Sequence, residues 1–481
     1  MRSFSFLLPF TQAASIAAAG AVRPSLVSHR SLPKREEGWP IKTGFVAFGD
    51  SYGAGMGTGT TTSDKCRVGS NNFGDLLNRW TNNPDVEFQR KVCSGDTTDG
   101  LNRQIDEWSD SGKADLATVS VGGNDVYFSD LVWYCVITPN TMKWPSTNRK
   151  DCIDTEAKAR RLMDDQGDGG LKAKLKAAYK KILDKSGRDD FHIYATSYIP
   201  FFNQDDADCD KTTFHYQWSG YNGAWDPRKI LLKTDLRREL NDLVSRLNDV
   251  ISDAVDETNG ETGRDRVHFV DVRKKWDNHR WCEEGDFHEP EPNRQDTWFF
   301  LSAWPDVPIE AGGASCDAGG AAPPEDNGGG EVAPPEDDGT GANVVSDPPT
   351  GANPISGPDL GANPVGSGSS CEEEAERQAL IASGKMELPD PGTCNEQLGS
   401  DPDPWDRWLC RASEAIHDDP DGPLGESLKN LNDGLAKGDA NAQDVDWWVP
   451  TRQIKTFHPR SPGMVAYRDA IIEEVRSHQG A

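Results

Sequence analysis

The stretch GFVAFGDSYGAGMGTG, residues 44–59, joins an apolar run to a glycine-rich turn, and Ser51 stands where one gives way to the other. A short apolar run with Val and Phe favours a buried strand, and Gly and Asp favour the turn that ends it. Ser51 is therefore either a turn residue or a nucleophile held at the end of a strand. The rest of the sequence decides between these readings.

Strand and helix patterns alternate along the first half of the chain. The two helix patterns are apolar positions at three- and four-residue intervals, one from Leu232 to Ala254 and one from Leu171 to Ile182. The predicted strands are short and rich in β-branched or aromatic residues: Phe45–Phe48, Val86–Val92, Leu116–Val121, Phe191–Thr196 and Val267–Val270. This order predicts an α/β fold with a mostly parallel five-stranded sheet, whose ligand sites lie beyond the carboxyl ends of the strands.

The negative charge of the chain is concentrated in one region. The 481 residues carry a net charge of -28, and only 35% are hydrophobic. Residues 311–446 hold 28 acidic and 6 basic residues, and their first half is rich in Gly and Pro. A segment of that composition buries too little apolar surface to fold, so residues 311–370 are predicted to be a disordered acidic linker. Residues 371–443 contain short helical patterns and cysteines, and predict a small Cys-containing insertion.

The N-terminus has the form of a secretory leader. Arg2 precedes an apolar stretch that ends in small residues, which is typical of a signal peptide over residues 1–21. Lys34 and Arg35 form a dibasic site of eukaryotic, fungal type, so residues 22–35 are predicted to be a propeptide. No later stretch of the sequence is apolar enough to span a bilayer. We expect a secreted protein without a stable membrane anchor.

The ten cysteines are even in number, which fits an oxidising compartment where thiols pair. Neither CxxC nor a Cys/His zinc spacing occurs. The segment WDNHRWCEEGDFHEPE offers His279, Asp286, His288 and Glu289, but their spacing suits no standard metal site. The sequence therefore predicts disulfides and no metal.

Three later turns carry groups that could activate Ser51. Gly95 in CSGD can bring its backbone N–H close to a ligand, and Asn124 in GGND offers a side-chain amide. His458 in FHP precedes a Pro/Gly-rich turn and a terminal helix. A serine hydroxyl needs a base to take its proton and donors to stabilise the oxyanion.

These motifs, GDSYGAG, CSGD, GGND and FHP, resemble in order the GDSL family of serine esterases and lipases, also called SGNH hydrolases. The resemblance implies a three-layer α/β/α flavodoxin-like fold, with Ser51 as nucleophile and His458 as general base. It also implies an oxyanion hole formed by the Ser51 backbone N–H with Gly95 and Asn124. The cysteine spacing resembles an extracellular branch that would pair Cys66 with Cys93, Cys135 with Cys152, and Cys209 with Cys282.

The resemblance also implies how the chain is divided into domains. It implies a hydrolase domain in two parts, residues 36–310 and 444–481, with the linker and the insertion between them. The second part carries His458 and the terminal helix.

Lys455 departs from the family pattern. Many members have an aspartate three residues before the histidine, and a lysine cannot accept the imidazole N–H. Members of this branch use a Ser-His dyad in which the backbone carbonyl at that position replaces the aspartate. Lys455 is therefore expected to have a backbone role only. Asp444 and Asp446 are less favoured candidates to take the place of the aspartate that orients the histidine.

Other readings of the same residues remain open. GDS, Gly95 or Asn124 alone would each be an ordinary turn feature. His192 and His268 lie inside predicted strands and are interpreted as structural. Trp447 and Trp448 either line an acyl pocket or pack under a loop.

We expect a secreted carboxylic-ester hydrolase that acts on lipid or related esters through an acyl-serine intermediate, without a cofactor. The alternatives are an acetyl esterase on plant polysaccharide and a secreted binding protein with a decayed esterase site. The expected partner is a small-molecule or lipid ester, with no nucleic acid. The chain is expected to be a monomer.

Overall fold

The computed structural model describes residues 40–62, 64–137, 149–214, 230–283, 295–301, 305–309, 371–399, 402–440, 445 and 447–479. The predicted signal peptide, propeptide and acidic linker lie outside the described residues. So do Asp444 and Asp446, and so do Asp286, His288 and Glu289 of the segment considered for metal binding.

Five parallel strands form one sheet in the order β2-β1-β3-β4-β5. Every predicted strand is present, with bounds shifted by at most a few residues at the ends. The strands are β1 Gly44–Gly49, β2 Glu87–Arg90, β3 Leu116–Ser120, β4 His192–Thr196 and β5 Val267–Val270. Strands β1 and β3, two of the three interior strands, are buried along their whole length, as expected of a sheet covered on both faces.

Helices flank the sheet in two groups. Helices α2 and α13 pack on each other, whereas α6 packs on both α3 and α7. The first seven helices are α1 Ser51–Ala54, α2 Phe73–Thr81, α3 Thr98–Asp106, α4 Phe128–Val132, α5 Lys150–Asp164, α6 Leu171–Ser186 and α7 Thr234–Thr262. The leucine pattern predicted α7 correctly, and its apolar face, including Leu240 and Leu247, is buried. The predicted α/β class with a mostly parallel five-stranded sheet is confirmed.

The chain after the predicted acidic linker is helical where it is described. Its helices are α8 Cys371–Ser383, α9 Cys394–Gln397, α10 Pro404–Asp418, α11 Pro423–Lys437, α12 Pro450–Ile454 and α13 Ser461–Gln479. Trp408 of α10 and Leu431 of α11 belong to the same hydrophobic core as the sheet. Residues of the predicted insertion therefore pack on the body of the protein.

Four disulfides link described cysteines. Three of them have the pairing that the resemblance implies, and the fourth joins Cys394 to Cys410 between α9 and α10. Such cross-links fit a protein of an oxidising compartment.

Among the helices that the structure describes, none combines the length and the apolar character needed to cross a bilayer.

Candidate active site

Ser51 lies in a sharp turn at the carboxyl end of β1. Asp50 caps the single turn of α1 by accepting a hydrogen bond from the Tyr52 N–H, at 2.9 Å, and Ser51 is the first residue of that turn. Gly49 is needed before the turn, because a Cβ there would lie 2.5 Å from the Ser120 carbonyl oxygen. The turn holds the Ser51 side chain at the edge where sites form in parallel sheets.

His458 lies on a loop that is fixed through its backbone. The Phe300 N–H donates to the His458 carbonyl at 2.8 Å, and the Phe457 N–H donates to the Phe300 carbonyl at 2.8 Å. Phe457 has a φ of +64°, an uncommon value for a residue with a side chain. The Tyr52 hydroxyl donates to the Phe457 carbonyl at 2.9 Å, so a residue beside Ser51 also holds this loop.

The structure brings Ser51 and His458 together from opposite ends of the chain. The distance from His458 Nε2 to Ser51 Oγ is 2.7 Å. On the other side of the ring, Nδ1 lies 3.2 Å from the Thr456 carbonyl oxygen, two residues upstream. The Lys455 carbonyl, which the resemblance assigns to the ring, accepts the His458 backbone N–H at 2.9 Å. Burial lowers the pKa of His458 to about 4, and the carbonyls of Thr456 and Lys455 act against that shift.

The two predicted oxyanion donors open into the same cavity as Ser51 and His458. Gly95 has a φ of +89°, so its turn requires a glycine. The Asn124 side-chain amide donates one hydrogen bond to the Asp96 carbonyl at 3.1 Å, which fixes its orientation. An amide nitrogen carries two hydrogens, so a second donor remains for a ligand.

One glutamine links the turn that carries Ser51 to the turn that carries Gly95, and the sequence analysis did not identify it. Gln104 of α3 accepts from the Gly49 N–H at 2.9 Å and donates to the Gly49 carbonyl at 2.8 Å. It also donates to the Asp96 side chain at 2.5 Å. No sequence signal distinguishes Gln104 from other polar residues on its helix.

Tyr198 links the GGND turn, which carries Asn124, to Asp50, and the sequence analysis did not identify it either. Its hydroxyl donates to the Asp50 carboxyl group and accepts the Gly123 N–H at 3.1 Å. Burial raises the pKa of Asp50 to about 7, although the bonds from Tyr198 and Tyr52 oppose the shift. The position of Tyr198 just after β4, at the edge where sites form, was the signal that could have found it.

The cavity over Ser51 has one wall from the sheet domain and one from the predicted insertion, residues 371–443. It has a volume of about 1070 Å³ including its open mouth. The sheet-domain wall includes Phe128, Val132, Trp133 and Ile137, and the insertion wall includes Pro402, Pro404, Arg407, Trp408 and Arg411. Trp447 also lines the cavity, whereas Trp448 is buried and donates to Ser427 Oγ at 3.2 Å. The predicted division between domain and insertion therefore crosses a single cavity.

The insertion wall is firmly attached to the rest of the protein. The ring of Trp408 meets that of Trp133 edge-on, with centroids 5.8 Å apart. Arg411 and Arg407 both pair with Asp130 of α4. A Cβ at Gly95 would lie 2.8 Å from Pro404 Cδ, so the insertion closes directly onto one of the predicted oxyanion turns.

The side chain of Lys455 has a role that the sequence did not suggest. Its ammonium group lies 2.6 Å from the Glu373 carboxylate of α8, and both side chains are almost fully buried. The expectation of a backbone role alone is therefore too narrow.

The structure describes one His/Asp grouping outside the cavity, formed by Asp265, His268 and His478. The rings of His268 and His478 stack with centroids 3.9 Å apart and an angle of 27°. Stacked imidazoles direct their nitrogen lone pairs side by side, so this arrangement fits ring packing better than shared ligation of one ion. His192 bonds to His268 at 2.8 Å, in agreement with the structural interpretation of both residues.

Comparison with known proteins finds lipases among the proteins that the chain is similar to. Lipase 1 of Streptomyces coelicolor is 29% identical over 205 residues, which cover 42% of this chain and 67% of that protein. The crystal structure of an extracellular lipase from Streptomyces rimosus matches with 20% identity and a TM-score of 0.40, over 55% of this chain and 90% of that one. A phospholipase A1 from Streptomyces albidoflavus matches with 21% identity and a TM-score of 0.39, over 55% and 89%.

The family model of the GDSL-like lipases and acylhydrolases matches residues 47–296, which is more than half of the chain. This match begins within β1, just before Ser51, and ends after β5. The chain belongs to the GDSL-like Lipase/Acylhydrolase family.

Proposed function

We propose that the protein is a secreted carboxylic-ester hydrolase that acts on lipid or related esters through an acyl-serine intermediate. The observation that carries this proposal is the 2.7 Å contact between His458 Nε2 and Ser51 Oγ, inside a cavity that Asn124 and Gly95 also line. A nucleophile, a base and oxyanion donors within reach of one another are the parts that acyl transfer requires.

The proposed reaction begins when His458 takes the Ser51 proton as the oxygen attacks the ester carbonyl. The backbone N–H groups of Ser51 and Gly95 and the Asn124 amide stabilise the oxyanion of the tetrahedral intermediate. His458 then passes its proton to the leaving alcohol, which leaves an acyl-serine. Water attacks the acyl group by the same route and restores the free serine.

The Thr456 carbonyl supports the charged form of the base in this scheme. When His458 accepts the Ser51 proton at Nε2, its Nδ1–H can donate to the carbonyl oxygen 3.2 Å away. That bond selects the tautomer with a free lone pair at Nε2 before reaction. A carbonyl therefore does the orienting work that an aspartate does in a triad.

The walls of the cavity favour an ester with an aliphatic acyl chain. Trp133 and Ile137 on one side and Trp408 on the other present apolar surface, and Arg407 and Arg411 are paired with Asp130. Burying a methylene contributes about 0.8 kcal/mol, so a longer chain gains binding energy from such walls. An acetyl group would contact little of them, which favours lipid-type esters over acetylated polysaccharide.

The experiment is a rate comparison on p-nitrophenyl acetate and octanoate with mature protein that begins at Glu36. Ser51→Ala should abolish turnover of both esters, and Ser129→Ala, which removes another serine hydroxyl from the cavity lining, should keep most of it. Equal turnover by wild type and Ser51→Ala would refute the assignment. A wild type active on acetate alone would favour the acetyl esterase, and one inactive on both would favour the decayed binding protein.

Secretion is proposed on the basis of the N-terminal leader and the disulfides. Expression of the full chain in a fungal host should place the protein in the medium with Glu36 at its N-terminus. Retention of the whole chain inside the cell would contradict this part of the proposal.

A further inference from the structure

Helix α8 of the insertion reaches under the loop that carries His458. Glu373 projects from its first turn, and its carboxylate lies 2.6 Å from the Lys455 ammonium. The exposed fractions of the two side chains are 1% and 2%, so this ion pair is closed to solvent. It connects the insertion to a turn three residues before His458.

Lys455 closes the turn that presents the histidine. Its carbonyl accepts the His458 N–H at 2.9 Å, and its ammonium group lies 4.6 Å from the centre of the Phe300 ring. Phe300 in turn pairs through its backbone with both Phe457 and His458. A shift of the Lys455 side chain would therefore move the backbone on which His458 sits.

Helix α8 also holds the beginning of α12, the short helix that leads into this turn. Glu376 accepts from the Thr451 N–H at 2.8 Å and from the Thr451 hydroxyl at 3.0 Å. Glu373 lies 3.5 Å from Arg452 as well. One helix of the insertion thus contacts both ends of the segment that enters the histidine loop.

We propose that Glu373 is a positioning residue for His458, acting through Lys455. This inference rests on the proposed function, in which His458 is the general base. It assigns to the insertion a part in the reaction: a carboxylate of the insertion anchors the lysine that stands where many family members have an aspartate.

The electrostatics of the pair explain why the carboxylate is needed. Burial lowers the pKa of Lys455, and Glu373 opposes that shift. Without the carboxylate, the buried ammonium group would lose the partner that offsets the cost of its burial, and it would lose its proton or move toward water. Either change would loosen the turn between Lys455 and His458 and would allow His458 to move away from Ser51.

The test compares Glu373→Gln with Glu374→Gln, a matched control one residue away whose side chain is 45% exposed. For Glu373→Gln we expect kcat on p-nitrophenyl butyrate to fall between about tenfold and a hundredfold with KM almost unchanged, since a displaced base costs rate rather than binding. The acid limb of the pH profile should also move up, toward the ordinary histidine pKa of about 6.5, as the ring becomes better solvated. Glu374→Gln should match the wild type.

The double variant Glu373→Gln with Lys455→Met tests whether the effect passes through Lys455. Because it removes the buried ammonium group together with its carboxylate partner, it should recover most of kcat and the wild-type acid limb. If Glu373→Gln alone does not fold, a folded double variant with wild-type kcat and acid limb supports the proposal. A folded double variant with lost activity overturns it.

Two further outcomes separate this inference from the proposed function. A folded Glu373→Gln with wild-type kcat and acid limb overturns the positioning role, even if its melting temperature is lower, while Ser51 and His458 keep their proposed roles. A wild type that neither hydrolyses the ester nor reacts with a fluorophosphonate at Ser51 overturns the proposed function and this inference with it.

Discussion

The pH dependence of hydrolysis should reveal the buried state of His458. Burial lowers its pKa to about 4, and a base works only when it is unprotonated, so activity should be lost as the pH falls through about 4. An ordinary histidine, with a pKa of about 6.5, would be only about one-tenth neutral at pH 5.5, whereas His458 would be almost fully neutral. The two cases differ roughly tenfold in kcat/KM at that pH.

The assay is kcat/KM for an uncharged ester from pH 3.5 to 8, with folding checked by circular dichroism at each pH. This check is needed because a depressed histidine pKa contributes stability above about pH 6.5 that is lost as the pH falls through about 4. Asp50, whose pKa is raised to about 7, is a second candidate for any inflection near neutrality, and Asp50→Asn should remove an inflection of that origin. A limb near 6.5 that persists in Asp50→Asn, with the protein folded throughout, would refute the reasoning.

Three other changes test separate parts of the account. Asn124→Ala should lower kcat about 100- to 1000-fold with little change in KM, as loss of an oxyanion donor does; a loss confined to KM would contradict that role. Trp408→Leu should lower the ratio of kcat/KM for p-nitrophenyl octanoate to kcat/KM for p-nitrophenyl acetate. The control Ile416→Ala, on the same helix, should leave this ratio unchanged. An unchanged ratio in Trp408→Leu would exclude α10 as a wall of the acyl site. Replacing Gly319–Gly366 with a brief Gly/Ser linker should leave the melting temperature and acetate hydrolysis largely unchanged, because loop closure costs only about 0.6 kcal/mol per doubling of length; loss of the fold would show that the segment is structural.

The sheet could be predicted from the sequence because its signals are local. Strands β1 and β3 are short apolar runs that end in turns, and the long helix α7 shows its buried face as regularly spaced leucines. Ser51, Gly95 and Asn124 follow β1, β2 and β3 in the chain. In a parallel sheet the carboxyl ends of strands meet at one edge, so the sequence alone places these motifs together.

The contacts that hold the site could not be predicted in the same way. Tyr198 bonds to Asp50 across 148 residues of chain, and Glu373 bonds to Lys455 across 82. Such pairs leave no periodic pattern, because each depends on how two distant segments dock. The insertion wall of the cavity could not be predicted either. In the sequence Trp408 is one apolar residue of a helix, and only the packing of that helix brings it against Trp133.

The nucleophilic role of Ser51 is the central claim, and covalent labelling tests it most directly. A fluorophosphonate should react once per chain with the wild type, and peptide mass spectrometry should place the adduct on Ser51. Ser51→Ala should not react, and His458→Ala, which lacks the base, should react far more slowly. An adduct on another serine, such as Ser129, or equal labelling of the wild type and Ser51→Ala, would contradict the account.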